Sequence, residues 1–156
     1  MPIIQEAEVR TQSGANFTAV HAGPLSSLDN FKLEVPALKK SVSGKLFIKD
    51  VIGLSAMEIS MNKFAPGQSS PFYHKHKANE EAYIFVKGRG QMQIDGETID
   101  VEEGSIVRVS TAGSRCIRNN SNEELCYICI QAKEGSLEAY TREDGVRTED
   151  PVTWPE

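Results

Sequence analysis

Residues 67–88 of the chain read Gly67-Gln-Ser-Ser-Pro-Phe-Tyr-His74-Lys-His76-Lys-Ala-Asn-Glu-Glu81-Ala-Tyr-Ile-Phe-Val-Lys-Gly88. Two histidines stand at positions i and i+2, so on an extended backbone both imidazoles point to one face. A carboxylate follows at Glu81, at the start of a β-rich run that Gly88 closes. Two imidazoles and one carboxylate form a common ligand set for divalent transition metals. On spacing alone, a solvated His-Lys-His loop is the competing interpretation.

The residues on both sides of this stretch alternate between apolar and polar, which is typical of half-buried strands. Asp95-Gly96 is a strong signal for a two-residue hairpin. Short strands separated by Gly, Asp and Asn turns predict an all-β sandwich or barrel. On the strand that precedes the histidines, Met57, Ile59 and Met61 are predicted to line the barrel. Strands are predicted near 57–62, 82–86, 91–94, 98–101, 105–109, 115–118 and 125–131.

Residues 67–88 closely resemble the first signature of the cupin superfamily: a glycine, His-x-His, a glutamate and a second glycine at set intervals. The six residues between Glu81 and Gly88 select Glu81 over Glu80 as the signature's glutamate. The resemblance covers about half of the chain and implies a single-domain antiparallel jelly-roll β-barrel. It also implies that His74, His76 and Glu81 hold one divalent transition metal ion, namely Zn, Mn, Fe or Ni.

The second cupin signature matches in spacing but not in chemistry. In the favoured register Gly104 and Asn119 are retained, while Arg115 replaces the histidine that would be the fourth ligand. A guanidinium has no lone pair, so Arg115 cannot bind the metal. Its fork suits a carboxylate or phosphate. Arg115 is therefore expected to face the barrel mouth and bind an anionic group of the substrate, or to pair with a barrel acid such as Glu81.

A rival register slides this strand by one residue. It aligns Gly113 with the signature's glycine and Cys116 with its histidine, so that a thiolate becomes an alternative fourth metal ligand. The first register is favoured because it needs no insertion, and a slip by one residue would turn every side chain to the other face. Tyr83 shares a face with Glu81 and is expected to contact the substrate.

The chain divides into three predicted parts. Residues 1–45 form an N-terminal extension that packs on the barrel or on a partner subunit and adds strands. Residues 46–133 form the cupin barrel, and residues 134–156 form a polar C-terminal tail. Single-domain cupins are commonly dimers, so the resemblance implies a homodimer in which the termini supply contacts.

Composition excludes several classes of protein. The 156 residues carry a net charge of −5 with no basic stripe, so no nucleic-acid partner is expected. The longest apolar run, Leu125 to Ile130, is far shorter than the roughly 20 residues of a membrane-spanning helix, and no signal peptide is recognisable. The three cysteines are an odd number, which argues against a disulfide framework and favours the cytoplasm. Cys126 and Cys129 fall on opposite faces of one strand and are predicted to be small core residues.

The resemblance leaves several functions open because one fold hosts many activities. Cupins of this size include sugar and sugar-phosphate isomerases, dioxygenases and decarboxylases. The expected function is that of an isomerase-like, metal-binding cupin acting on a small anionic metabolite, such as a sugar, a sugar phosphate or a keto acid. The alternatives are a non-catalytic cupin that binds a small molecule and a metal-dependent dioxygenase.

Overall fold

The computed structural model describes residues 4–6 and 8–156. The remaining residues, 1–3 and 7, include part of the segment searched for a signal peptide and lie outside the described chain. One four-residue α-helix, α1 (Lys49–Ile52), and two 3-10 turns, Leu25–Asn30 and Pro36–Leu38, interrupt the strands. The strands are β1 (Ile4–Glu6), β2 (Arg10–Ser13), β3 (Thr18–His21), β4 (Lys32–Val35), β5 (Lys40–Ser43), β6 (Lys45–Phe47), β7 (Met57–Phe64), β8 (Asn79–Lys87), β9 (Arg89–Ile94), β10 (Glu97–Glu102), β11 (Ile106–Val109), β12 (Arg115–Arg118) and β13 (Leu125–Lys133).

Two antiparallel sheets form the barrel. The larger sheet has the strand order β11-β8-β13-β7-β6, and the smaller has the order β10-β9-β12. Their inner faces enclose a core that includes Phe85, Met92, Ile117 and Tyr127. The predicted all-β jelly-roll is confirmed. So is the hairpin at Asp95-Gly96, where Ile94 pairs with Glu97 across the two-residue loop.

The two faces of strand β7 are exchanged relative to the prediction. Ile59 and Met61 do not line the barrel but pack against a second apolar cluster on its outer side. The polar residues that alternate with them, Ser60 and Asn62, are buried on the inner face. Asn62 is satisfied there because its Nδ2 donates to the carbonyl and the hydroxyl of Ser60, both at 3.0 Å. Alternation predicted two faces correctly but could not tell which one faces the barrel.

The N-terminal segment covers the outer face of β7. Leu28, Phe31, Leu46 and Ile48 are buried in a cluster of their own, which the apolar side chains of β7 complete. Two small sheets, β1-β4-β5 and β2-β3, surround this cluster. The described residues therefore form two apolar cores, one inside the barrel and one between the barrel and the N-terminal segment.

The side chain of Gln5 closes the edge of the larger sheet. Strand β6 is the last strand of that sheet. The Oε1 atom of Gln5 accepts a hydrogen bond from the backbone N–H of Phe47 at 2.7 Å, and its Nε2 donates to the carbonyl of Phe47 at 2.9 Å. The amide thus satisfies both main-chain groups that Phe47 would otherwise offer to an additional strand.

The C-terminal tail has no helix or strand after β13. Several of its apolar side chains are almost fully exposed, with Leu137 at 75%, Val146 at 88% and Trp154 at 85%. Among the described residues, no helix is long and apolar enough to cross a membrane.

Two turn glycines adopt the same left-handed backbone in different surroundings. Gly88, with φ of +79°, lies where a Cβ atom would come within 2.0 Å of the carbonyl oxygen of Glu124. Gly96, with φ of +89°, has no atom within 4 Å of the corresponding position. Backbone strain applies at both positions, whereas a steric clash applies at Gly88 alone.

We predict that Gly96→Ala lowers the free energy of unfolding by about 1–2 kcal/mol, which is the cost of a left-handed backbone for an L-residue. Gly88→Ala should cost about 1–3 kcal/mol more, since the added methyl group also has to displace a neighbouring main chain. Urea unfolding of the two variants checks the difference. Equal losses would show that the chain around Glu124 moves aside freely.

Candidate metal centre

The main chain of β12 fixes the position of His74. The segment before the first histidine runs alongside this strand. The N–H of His74 donates to the carbonyl of Arg115 at 3.1 Å, and the N–H of Arg115 donates to the carbonyl of His74 at 3.0 Å. Both histidines lie outside the regular strands, since His74 forms an isolated bridge and His76 lies in the loop that follows. Glu81 is on the neighbouring strand β8.

The three side chains nevertheless converge. One potential ligand atom from each of His74, His76 and Glu81 lies within 4.8 Å of the other two. The Oε1 atom of Glu81 is 3.6 Å from Nε2 of His74 and 3.1 Å from Nε2 of His76. The two imidazole rings are nearly perpendicular, at 88°. The Nε2 atoms of both rings therefore lie close to the same carboxylate oxygen.

The chemistry of this donor set fits a cation. Nε2 of His76 is a buried nitrogen with no hydrogen-bond partner in the described part of the chain. An unprotonated Nε2 at 3.1 Å from a carboxylate oxygen places a lone pair beside a negative charge, and a cation bound next to both atoms would relieve that repulsion. Ligand atoms about 2.0–2.2 Å from a tetrahedral ion lie about 3.3–3.6 Å from one another, close to the observed spacings. His74 and His76 remain 42% and 27% exposed, which leaves one side of the group accessible.

The carboxylate of Glu81 is held by three further side chains. It is only 4% exposed. Its Oε1 atom accepts hydrogen bonds from the hydroxyl of Tyr83 at 2.7 Å and from a guanidinium nitrogen of Arg115 at 2.8 Å. Its Oε2 atom accepts a hydrogen bond from the thiol of Cys129 at 3.0 Å. These bonds fix the orientation of the carboxylate and compensate for its burial.

Opposing effects set the pKa of Glu81. Burial alone would raise it, because the charged form loses water. Hydrogen bonding to His74, Cys129 and Tyr83, together with the charge of His76, outweighs burial and holds the pKa well below its usual range. The carboxylate is therefore ionised at neutral pH, as a metal ligand needs to be.

Arg115 lies on the inward face of β12, and its side chain is 0% exposed. Besides Glu81, its guanidinium donates to the carbonyl of Gly113 at 2.8 Å and to the hydroxyl of Tyr83 at 3.3 Å. The expected pairing of Arg115 with a carboxylate of the barrel is thus formed with Glu81. Direct contact with a substrate anion stays a prediction for Arg115, and a conformational change would be needed to free its nitrogens.

The sequence also predicts Tyr83 and Cys116 at the site. Tyr83 is 3% exposed, and its hydroxyl lies between Arg115 and Glu81. Burial raises the pKa of Tyr83, so it is a proton donor in this network. Cys116 pairs with Gln93 on β9 and points to the face opposite Arg115, outside the group of potential metal ligands.

A cavity of about 350 Å³ adjoins two of the three potential ligands, His74 and Glu81. Its wall includes Lys45, Asn62, His74, Glu81 and Tyr127. This volume lies in the range of small-molecule sites. Sequence reasoning missed the contributions of two lining residues. Cys129 was correctly expected in the core, but its bond to Glu81 depends on the pairing of β8 with β13. Lys45 faces inward because it lies directly opposite Asn62, a pairing without a local signal.

Comparisons with known proteins agree with this architecture. A family model described as a cupin domain matches residues 60–131. A cupin protein from Bacteroides fragilis is 39% identical, with a TM-score of 0.65, and the match covers 67% of this chain and 88% of that one. A protein from Acidithiobacillus ferrooxidans, described as a candidate sugar phosphate isomerase, is 27% identical with a TM-score of 0.53, over 57% of this chain and 58% of that one.

A curated relative, an uncharacterized protein of Methanocaldococcus jannaschii, is 32% identical over 79 residues. The match covers 51% of this chain and 59% of the relative's length. The similarity to the Bacteroides protein spans most of that protein, and the family model covers the strands that enclose the three potential ligands. The chain belongs to the cupin family.

Proposed function

We propose that this protein binds one divalent transition metal ion through His74, His76 and Glu81, and that a small anionic metabolite enters the cavity beside it. One observation carries the proposal: Nε2 of His76 is buried and unpaired among the described residues, 3.1 Å from a carboxylate oxygen. Zn, Mn, Fe and Ni all suit two imidazoles and one carboxylate.

A bound ion would act as a Lewis acid on a carbonyl or hydroxyl oxygen of the metabolite. Neighbouring side chains hold the potential ligands in position for the ion. Tyr83 and Cys129 hold Glu81 ionised and oriented through the bonds described above. Arg115 fixes the backbone of His74 and occupies the position where the family signature has a fourth ligand. With three protein ligands, coordination positions stay open toward the cavity.

Isomerisation of a sugar phosphate or a keto acid is the reaction that we propose to test first. The similarity to the Acidithiobacillus protein supports it. Non-catalytic binding is the second candidate, and the replacement of the fourth ligand by Arg115 favours it. Turnover of sugar phosphates by metal-loaded but not by metal-free protein would distinguish the two, and oxygen consumption would indicate a dioxygenase instead. Three free cysteines suit a reducing compartment, so we propose the cytoplasm.

We predict that Zn²⁺ binds the wild-type protein with one-to-one stoichiometry in isothermal titration calorimetry. His76→Ala and His74→Ala should each weaken binding by at least about 100-fold, because two remaining ligands hold an ion poorly. His21→Ala is the matched control, since this histidine is exposed on β3 and should bind Zn²⁺ as the wild type does. Wild-type affinity in His76→Ala would refute the ligand assignment.

Arg115→Met should destabilise the metal-free protein by about 3–5 kcal/mol, because it leaves the buried carboxylate of Glu81 without its cation. Arg118→Met, on the same strand but exposed, should stay within about 0.5 kcal/mol of the wild type. A divalent ion would supply the missing positive charge, so Zn²⁺ should recover part of the loss in Arg115→Met. Urea unfolding with Zn²⁺ and with EDTA measures this. An identical loss in both conditions would argue against Glu81 as a ligand.

We infer that the C-terminal tail contributes to a homodimer. Leu137, Val146 and Trp154 expose apolar surface that a monomer would leave in water. A double variant, Leu137→Ser with Trp154→Ser, should shift the protein from dimer to monomer in size-exclusion chromatography with light scattering. A wild-type protein that is monomeric at high micromolar concentration would contradict the inference.

A further inference from the structure

The cavity beside the metal centre has an excess of positive charge. Its lining includes three basic residues, Lys45, Lys63 and Arg115, and one acidic residue, Glu81. A divalent ion at the histidines would increase this excess. Such a lining creates a positive electrostatic potential in the cavity, which favours the binding of an anion.

Ion pairs neutralise two of the three basic residues. The guanidinium of Arg115 is bonded to Glu81, as described above. The ammonium group of Lys63 contacts Asp29 and lies 3.2 Å from a carboxylate oxygen of Glu124. Lys63 therefore directs its charge away from the cavity, toward the N-terminal segment and the loop before β13.

Lys45 is the exception among the described residues. Its Nζ atom makes no ion pair and no hydrogen bond there, and it lies over the ring of Phe47, 4.9 Å from the centroid. The pairing of Lys45 with Asn62 places the side chain on the inward face of β6. Burial lowers the pKa of Lys45, while the negative charges of Glu81 and Glu58 only partly oppose this effect. The charged ammonium group is thus poorly compensated by the protein.

We propose that Lys45 is the anion-recognition residue of the cavity, where its ammonium group binds a carboxylate or phosphate group of the metabolite. The inference rests on the proposed small-molecule function and deepens it, because it moves anion recognition from Arg115 to Lys45. The metabolite is then a molecule whose anionic group contacts Lys45 and whose oxygen-bearing end faces the histidines.

The stability of the protein offers an independent signature. A partly buried cation without a partner destabilises the folded state, and replacing it with an apolar side chain of similar length often stabilises the fold. A residue retained for binding should therefore show opposite effects on stability and on ligand affinity when it is replaced. A residue that only supports packing through Phe47 would lose stability instead.

The test compares wild-type protein with Lys45→Met, Lys45→Arg and the exposed control Lys87→Met. Two matched pairs of probes are titrated by calorimetry: glucose 6-phosphate with glucose, and pyruvate with its neutral methyl ester. The wild type should bind at least one anion more tightly than its neutral partner, and the pair that shows this preference identifies phosphate or carboxylate as the ligand group. Lys45→Met should weaken that binding about 10- to 100-fold, the worth of one charge-assisted hydrogen bond.

Lys45→Arg should retain most of the affinity because it keeps the charge, and Lys87→Met should bind as the wild type does. Without added anion, the melting temperature of Lys45→Met should equal or exceed that of the wild type. Absence of any anion preference in the wild type would overturn the proposal. So would unchanged anion affinity in Lys45→Met.

Repeating the titrations on His76→Ala separates this proposal from the proposed metal function. A Lys45-dependent anion preference that persists in that variant supports the role of Lys45. If the wild type also failed to bind Zn²⁺, the metal function would fail while the role of Lys45 stood. If the wild type bound Zn²⁺ but showed no anion preference, the metal function would stand and the role of Lys45 would fail.

Discussion

The buried ion pair between Arg115 and Glu81 is the interaction on which the metal centre depends. Through its main chain Arg115 holds His74, and through its side chain it holds the carboxylate that both histidines face. An ion pair in a low-dielectric interior is stable only when the remaining polar atoms also find partners. Tyr83 and Cys129 meet that requirement for Glu81. One arginine therefore links two strands and a loop that are distant in sequence.

A barrel interior with this much polar surface needs additional apolar burial elsewhere. The inner face of β7 presents Ser60 and Asn62, which serve the cavity but contribute little hydrophobic stabilisation. The outer face of the same strand is apolar and is covered by Leu28 and Phe31 from the N-terminal segment. Apolar burial in the second core thus compensates for the hydrophobic stabilisation that the polar residues of the cavity do not provide.

Local patterns were sufficient to predict the strands from β7 onward and the hairpin at Asp95-Gly96, since each depends on nearby residues. For His74, His76 and Glu81, spacing alone left a solvated loop open, and the resemblance to the cupin signature was needed to predict the group. They were insufficient where a partner lies far along the chain. Period-2 alternation on β7 gave no indication that Ile59 and Met61 would find a cover in the N-terminal segment. Several potential partners for Arg115 remained open because its contact with Glu81 spans 34 positions.

The contact between Gln5 and Phe47 has a consequence for how this protein behaves in solution. An outermost strand with free main-chain donors and acceptors is a template for intermolecular pairing and aggregation. Here a single side-chain amide satisfies both groups of Phe47, without the length or flatness that would invite a further strand. Loss of Gln5 would free both main-chain groups of Phe47, so a chain shortened past this residue would be more prone to edge-to-edge association with another copy.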